Sequence, residues 1–376
     1  MIRKCKRPAG IALMLSLVVV VLLTAFISEF FFATGLELRS MQTFKEAEQA
    51  RGLARLAFKA AQMGLLNDEV NFFKNFKQLS DALSVSSVPW RDGLLVNLRI
   101  IPQDGLFNLN ELGGQSGSDR DRVRWELFRN ILVDMPMRGV DPALEDQSLP
   151  EERIADLYAA LVDWVDGANT DYLGASGGSG AEADVYFSAD PEISIKNQQL
   201  DRLSEIRLVR GVADSGLAWV DWERHFSALQ KSTKSDLYPE KLNVNLATQD
   251  EIITYLQRRR IEDFAFKSTT DRDLQKNINA YADQAAAIAE LLVPEDEGGN
   301  RLPYDKASLE QRLRTGVSRI NYKIATQIFS FKNEYYRVQL TTSVNEVDAV
   351  LEALIHVPRD NSRIGQRVKV LFITLN

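Results

Sequence analysis

Between positions 163 and 184 the sequence gathers side chains that suit a hard cation. Asp163 and Asp166 lie three apart at the end of a helix-like run, so they share one face. Carboxylates there oppose the partly negative helix C-terminus. Asn169 and Asp171 follow, then the Gly/Ser run 174–180, then Glu182 and Asp184. Like charges converging on one loop call for a counter-ion. Oxygen donors on a glycine-rich backbone suit Ca²⁺, which takes roughly six to eight of them. Two other readings stay open: a merely solvated acidic loop, and a paired-carboxylate hydrolase. The spacing is not that of an EF-hand. The glycine run is not a phosphate loop either, because it follows a helix and precedes no Lys-Ser/Thr.

Other reactive groups are scarce. Cys5 is the single cysteine and His225 and His356 are the two histidines, which excludes a structural zinc site and a disulfide framework. Both histidines sit in patterned runs and read as packing residues. Arg258-Arg259-Arg260 follows a segment, 242–256, that resembles the helix-hairpin-helix or SAM-like units that bind DNA elsewhere. The net charge of −7 argues against nucleic acid, and the bland reading of that basic cluster is surface or a protein contact.

The elements that must position these groups begin with an anchor. Arg3, Lys4, Lys6 and Arg7 precede an uncharged apolar run, Ile11 to Ser28, long enough to cross a bilayer. The basic flank orients the remainder to the far side of the membrane. The only small-residue junction is Ala9-Gly10, before the apolar run. Cleavage there would keep the helix and remove four basic residues, taking the charge to −11 (−7 − 4). An uncleaved signal anchor is the alternative. Helical spacing continues to about Leu66 without proline. Strand patterns appear at 94–101 with a return strand at 106–109 across Pro102-Gln103-Asp104-Gly105, and again at 335–344, 347–356 and 368–373. Helical patterns fill the interval, at 121–134, 151–166, 199–211, 217–230, 248–260 and 278–292, with no repeat of fixed period. Separated strand groups need each other, so the chain reads as one α+β fold with a large inserted all-α domain.

In order, the motifs resemble a known family. They are the Gly10 junction, Asn108-Leu109-Asn110, Asp163-Trp164-x-Asp166, Gly180-Ala181-Glu182, Tyr186, Lys196-Asn197-x-x-Leu200, Leu203-x-Glu205-Ile206-Arg207-Leu208-x-x-Gly211 and Leu242-Asn243-Val244-Asn245-Leu246-Ala247. The set is similar to the K-type minor pseudopilin of type II secretion (general secretion pathway protein K). It departs from the family pattern at Gly167-Ala168, at Glu182-Ala183-Asp184 and at Leu246.

The resemblance implies a pilin-like fold: a long N-terminal transmembrane and amphipathic helix packed on an antiparallel sheet, with an inserted all-α domain. Its divisions here are a leader at 1–10, the long helix at 11–66 with 11–34 in the membrane, and an α+β domain from 67–114 and 331–376. The inserted α-domain with the calcium loop spans 115–235, and a second, SAM-like α subdomain spans 236–330. It implies structural calcium, carried over to Asp166, Asp171, Glu182, Asp184 and Asn197. It implies prepilin peptidase cutting after Gly10 and methylation of Ile11, in the inner membrane with the bulk in the periplasm. It implies I-type and J-type minor pseudopilins as partners in a tip complex, contact with secreted proteins, no nucleic acid and no catalysis. Position five of the processed chain is Leu15, where most pilins carry a glutamate, as expected of a filament cap. Two other functions stay in view: a DNA-binding competence pilin and a membrane-anchored periplasmic hydrolase.

Overall fold

The structure is a computed structural model. It describes residues 9–67, 88–91, 94–112, 117–137, 147–167, 171–181, 186, 194–230, 237–262, 266–293, 303–358 and 368–375. Helix α1, Ala9–Asn67, is a single unbroken element. Its first half has nothing to pack on: Leu13, Leu17, Leu22 and Phe26 are all more than half exposed. Among the described residues it is the one helix long and apolar enough to cross a membrane. Three of its hydroxyls bond within the helix, Ser16 on the Leu13 carbonyl, Thr24 on Val20 and Thr34 on Phe30. Such internal bonds suit a lipid environment.

The second half of α1 lies on a five-stranded antiparallel sheet. Its strands are β1 (Val88–Arg91), β2 (Leu94–Pro102), β7 (Tyr335–Val344), β8 (Val347–His356) and β9 (Lys369–Leu375), hydrogen-bonded in that order. Alternation sets the faces. Tyr336, Val338 and Leu340 of β7, with Leu351, Ala353 and Ile355 of β8, form one core with Leu53, Ala54, Phe58 and Leu65 of α1. Each leucine, isoleucine, valine or phenylalanine among them, fully buried, contributes on the order of 1.5–3 kcal/mol. Arg337 and Gln339 alternate to the opposite face.

The expected hairpin at 94–109 does not form. Strand β2 pairs with β7 instead, residue for residue from Leu94↔Val344 to Pro102↔Tyr336. The Asp104 carboxylate accepts the N–H groups of Glu334 and Tyr335 at 2.8 Å, which closes the sheet across the insertion. Residues Phe107–Asn108 (β3) pair in parallel with Phe226–Ser227 (β4) inside the inserted domain. The turn residues 102–105 thus mark the exit from the sheet.

The insertion has its own core, separate from that of the sheet. Its helices are α2 (Asp119–Val133), α3 (Glu151–Val165), α4 (Trp219–His225), α5 (Gln249–Gln257), α6 (Thr269–Asp283), α7 (Ala285–Leu292), α8 (Lys306–Gly316) and α9 (Ala325–Ile328). Three expected helices come out differently. The run 199–211 is a 3-10 turn at Leu203–Leu208, 217–230 is helical only at Trp219–His225 before β4, and 278–292 is broken at Gln284. Two further short strands, β5 (Leu242–Asn243) and β6 (Phe329–Ser330), also pair in parallel. The domain meets the sheet on the face opposite α1, where Glu223 of α4 lies 3.1 Å from Arg337 and 3.2 Å from Gln339. His225 is packed among arginines, and burial with the Arg258 and Arg224 charges lowers its pKa to about 3. His356 stacks on Tyr335.

Candidate metal site at the acidic loop

Helix α3 is amphipathic, burying Ile154, Leu157, Tyr158, Leu161 and Val162. The same face carries Asp163 to full burial at its C-terminal end. That carboxylate is satisfied by the loop that follows. Tyr172 N–H donates to Oδ1 at 2.8 Å and Ala181 N–H donates to Oδ2 at 2.7 Å. One side chain therefore closes both ends of the segment 171–181. Burial raises the Asp163 pKa to about 6 against the pull of those two N–H bonds, and the nearby charges of Asp166 and Asp171 push it the same way as burial.

Two further carboxylates hold the same loop. Asp156 accepts from Ser179 N–H at 2.8 Å. Asp121, in the first turn of α2, accepts from the Tyr172 hydroxyl at 2.7 Å, the Tyr158 hydroxyl at 3.1 Å and the N–H groups of Gly117 and Ala175. The glycines permit this approach. A Cβ at Gly178 would strike the Ala155 carbonyl, and one at Gly180 would strike the Asp163 carboxylate. Their role in the described loop is close packing. Arg210 caps the far end, donating to the Gly180 carbonyl at 3.2 Å, and its N–H donates to the Tyr186 hydroxyl at 3.0 Å. Tyr186 in turn packs edge-on against Trp164 at 5.3 Å.

Of the residues carried over for a metal, Asp166 is half-buried where α3 ends and Asp171 is exposed. Both come close enough to Asp163 to act on its charge. Asn197 is half-buried with a φ of 46°, on the segment leading to Leu200. Glu182 and Asp184 lie outside the described residues. Among the described residues no three His, Cys, Asp or Glu side chains are arranged to hold a metal ion. Asp166 and Asp171, with oxygen donors only, are of the right kind for a hard cation, but they do not complete a coordination shell. Sequence reading missed Asp121 and Asp156, and it left Asp163 out of the metal ligands. Asp121 looks like ordinary first-turn acid, and only the fold brings Ala175 and Tyr172 to it.

The arginine cluster is consumed internally. Arg259 is buried, stacks 3.5 Å from the centre of the Tyr255 ring and donates to the Glu240 and Tyr255 carbonyls. Arg258 pairs with Asp134 at 3.0 Å, and Arg260 with Glu262 and Asp283.

The Asn-x-Asn motifs are clamps. Asn108 Oδ1 accepts from Asn110 N–H and Leu229 N–H. The Asn110 amide exchanges both its hydrogen bonds with the Leu200 backbone, accepting at 2.6 Å and donating at 2.9 Å, and donates also to Leu229. Asn243 Oδ1 accepts from Asn245 N–H in the same way. The Asn245 amide exchanges both bonds with the Tyr304 backbone, at 2.6 and 3.0 Å, and donates to Phe331.

Residues 105–220 match the family model described as Type II secretion system (T2SS), protein K. That part of the inserted domain is similar to the K protein of type II secretion. The matched stretch contains the first clamp, α2, α3 and the acidic loop. No curated protein matches the sequence. A chain of the crystal structure of the GspK-GspI-GspJ complex from the enterotoxigenic Escherichia coli type 2 secretion system superposes with a TM-score of 0.49 at 17% identity, over 90% of this chain and 99% of that one.

Proposed function

We propose that this chain is a non-enzymatic minor pseudopilin at the tip of a type II secretion pseudopilus, anchored once in the inner membrane with its bulk in the periplasm. The observation that carries the reading is the match to protein K of type II secretion in a chain with one long, lipid-suited N-terminal helix. In this reading it assembles with I-type and J-type minor pseudopilins and helps start the filament that exports folded proteins. Prepilin peptidase cuts after Gly10 and methylates Ile11. Leu15 supports the cap position, because a terminal subunit has no neighbour's amine to neutralise above it. The test is export of the host's secreted enzymes by a strain lacking the gene. Export at wild-type level sinks the proposal. N-terminal sequencing of membrane-extracted protein checks the processing, and a chain that begins at Met1 refutes it.

The acidic loop is proposed to hold structural calcium through Asp166 and Asp171, completed by Glu182, Asp184 and Asn197. The support is the chemistry of the donors and the approach of Asp166 and Asp171 to buried Asp163. The ion would supply fixed positive charge and cross-link the loop to α3. Titration calorimetry of the full-length protein with Ca²⁺ and EDTA decides it, and no heat and no melting shift would exclude the ion. The arginine contacts favour protein packing over the DNA-binding alternative. Salt-sensitive binding of duplex DNA would restore that alternative.

A further inference from the structure

We infer that the inserted domain is a head that turns on the sheet about a narrow neck, and that the Glu223–Arg337 ion pair is the latch that holds it closed. The two bodies keep separate apolar cores, so turning one against the other exposes neither. The insertion reaches the sheet with charged side chains. Glu223 of α4 sets one carboxylate oxygen 3.1 Å from the Arg337 guanidinium and 3.2 Å from the Gln339 amide, both on β7. Arg202 lies over the Phe372 ring of β9, 5.4 Å from its centre. Polar contacts of this kind between separately packed bodies leave relative motion as the default. The latch also has a second resting place. Arg337 is buried, and Glu352 on the neighbouring strand β8 lies 3.9 Å from it on the same face of the sheet. One arginine thus stands between two carboxylates, one on each body. When Glu223 leaves, Arg337 keeps an acidic partner and gains water, so opening avoids the large cost of a buried unpaired charge.

The neck is built to hold while the head turns. The chain leaves the sheet at the end of β2 and returns to it at the start of β7. Between them Asp104 accepts the N–H groups of Glu334 and Tyr335, and the Gln103 N–H donates to the Tyr335 carbonyl at 2.9 Å. These bonds tie the outgoing segment to the returning one, so both ends of the insertion leave the sheet at one point. Residues 103–106 and 331–334 belong to no helix or strand, as hinge residues that absorb a backbone rotation require. Rotation there changes the direction of the head relative to α1 and repacks neither core.

This inference stands apart from the secretion reading, and its test needs no partner. Spin labels are placed through Lys276→Cys on α6 and Glu346→Cys in the turn between β7 and β8, both exposed positions, in a Cys5→Ser background. Pulsed electron resonance of the full-length protein in detergent then reads the distance between head and sheet. The labelled parent should show one dominant distance. Glu223→Gln should add a second population and raise its share on the order of tenfold, with the melting midpoint unchanged. Glu352→Gln removes the resting place and keeps the latch, so it should leave the dominant distance as in the parent. A single parental distance in Glu223→Gln overturns the latch. A broad distribution in the parent overturns it as well, since the head would then turn unlatched. A collapse of melting in Glu223→Gln also overturns it, because the pair would then belong to the folded core.

Discussion

The two Asn-x-Asn clamps are the same device built twice. Each begins in a two-residue strand, β3 or β5, that pairs in parallel with a Phe-Ser strand at the end of a short helix, β4 after α4 and β6 after α9. In each the second asparagine holds one distant backbone residue by two reciprocal bonds, Leu200 or Tyr304, and an aspartate follows directly, Asp201 or Asp305. The units differ in what lies between clamp and clamped residue. That interval spans 90 positions in the first and 59 in the second. The excess in the first includes the acidic Gly/Ser loop. The second unit makes the same frame without that loop. The clamp is therefore scaffold, and the acidic loop is what distinguishes the first unit from the second.

Four changes would break or sharpen this comparison. The largest effect is expected where the units join. Glu240 is buried and accepts both Arg124 guanidinium N–H groups and the Asn108 N–H, while its carbonyl takes Tyr255 and Arg259. Burial opposes its ionisation, yet the Arg124 charge holds its pKa below the usual carboxylate range. Arg124→Met leaves that charge unpaired and should cost about 3–5 kcal/mol in chemical denaturation of the full-length protein in detergent. A cost below 1 kcal/mol would mean that the units are not joined there.

The clamps themselves come next. Asn110→Ala strands the Leu200 N–H in a buried site and should cost about 2–3 kcal/mol. Asn245 is only half-buried, so Asn245→Ala should cost about 1 kcal/mol. Equal costs in the same assay would show that burial does not separate the two copies.

Glycine substitution separates loop from frame. Gly180→Ala drives a methyl into the Asp163 carboxylate and should cost about 2 kcal/mol. At Gly316 the added methyl meets only the tips of the Leu291 side chain, which can move. A melting shift for Gly316→Ala as large as that for Gly180→Ala would contradict this.

The smallest effect is a pH dependence confined to the loop. The folded pKa of Asp163, about 6, lies above the ordinary value, so the folded state binds the proton first. Stability should therefore rise as pH falls from about 6.5 towards 4, and the gain is lost as pH rises through 6. The full shift is worth about 3 kcal/mol, and solvent screening at the loop reduces the amplitude to about 1–2 kcal/mol. Asp163→Asn should flatten that slope in melting curves, and bound Ca²⁺ should reduce it by favouring the carboxylate. A slope unchanged in Asp163→Asn would assign the titration elsewhere.

Some of this was legible beforehand. The apolar run from Ile11, the proline-free continuation of α1 and the β-branched runs after Tyr335 each follow from local pattern, because periodicity reports which face is buried. Other features were not. Residues 106–109 pattern as a return strand, but Asn108 has a better partner in Leu229, 121 positions away. The duplication escaped a search for fixed period because its two intervals differ in length and only two asparagines and a Phe-Ser pair persist. Composition drew attention to the acidic loop and suggested that its carboxylates all face one ion.

The sequence by itself determined the anchor, the helix that continues it, the strand content and the kind of donor in the loop. These are local properties, set by side-chain polarity and spacing. Only the tertiary structure decided what each carboxylate does. Asp121 and Asp163 are common acids in the sequence. Folding removes them from water and presents them with backbone N–H groups from a loop that could not otherwise be buried. That exchange satisfies the carboxylates and fixes Tyr172.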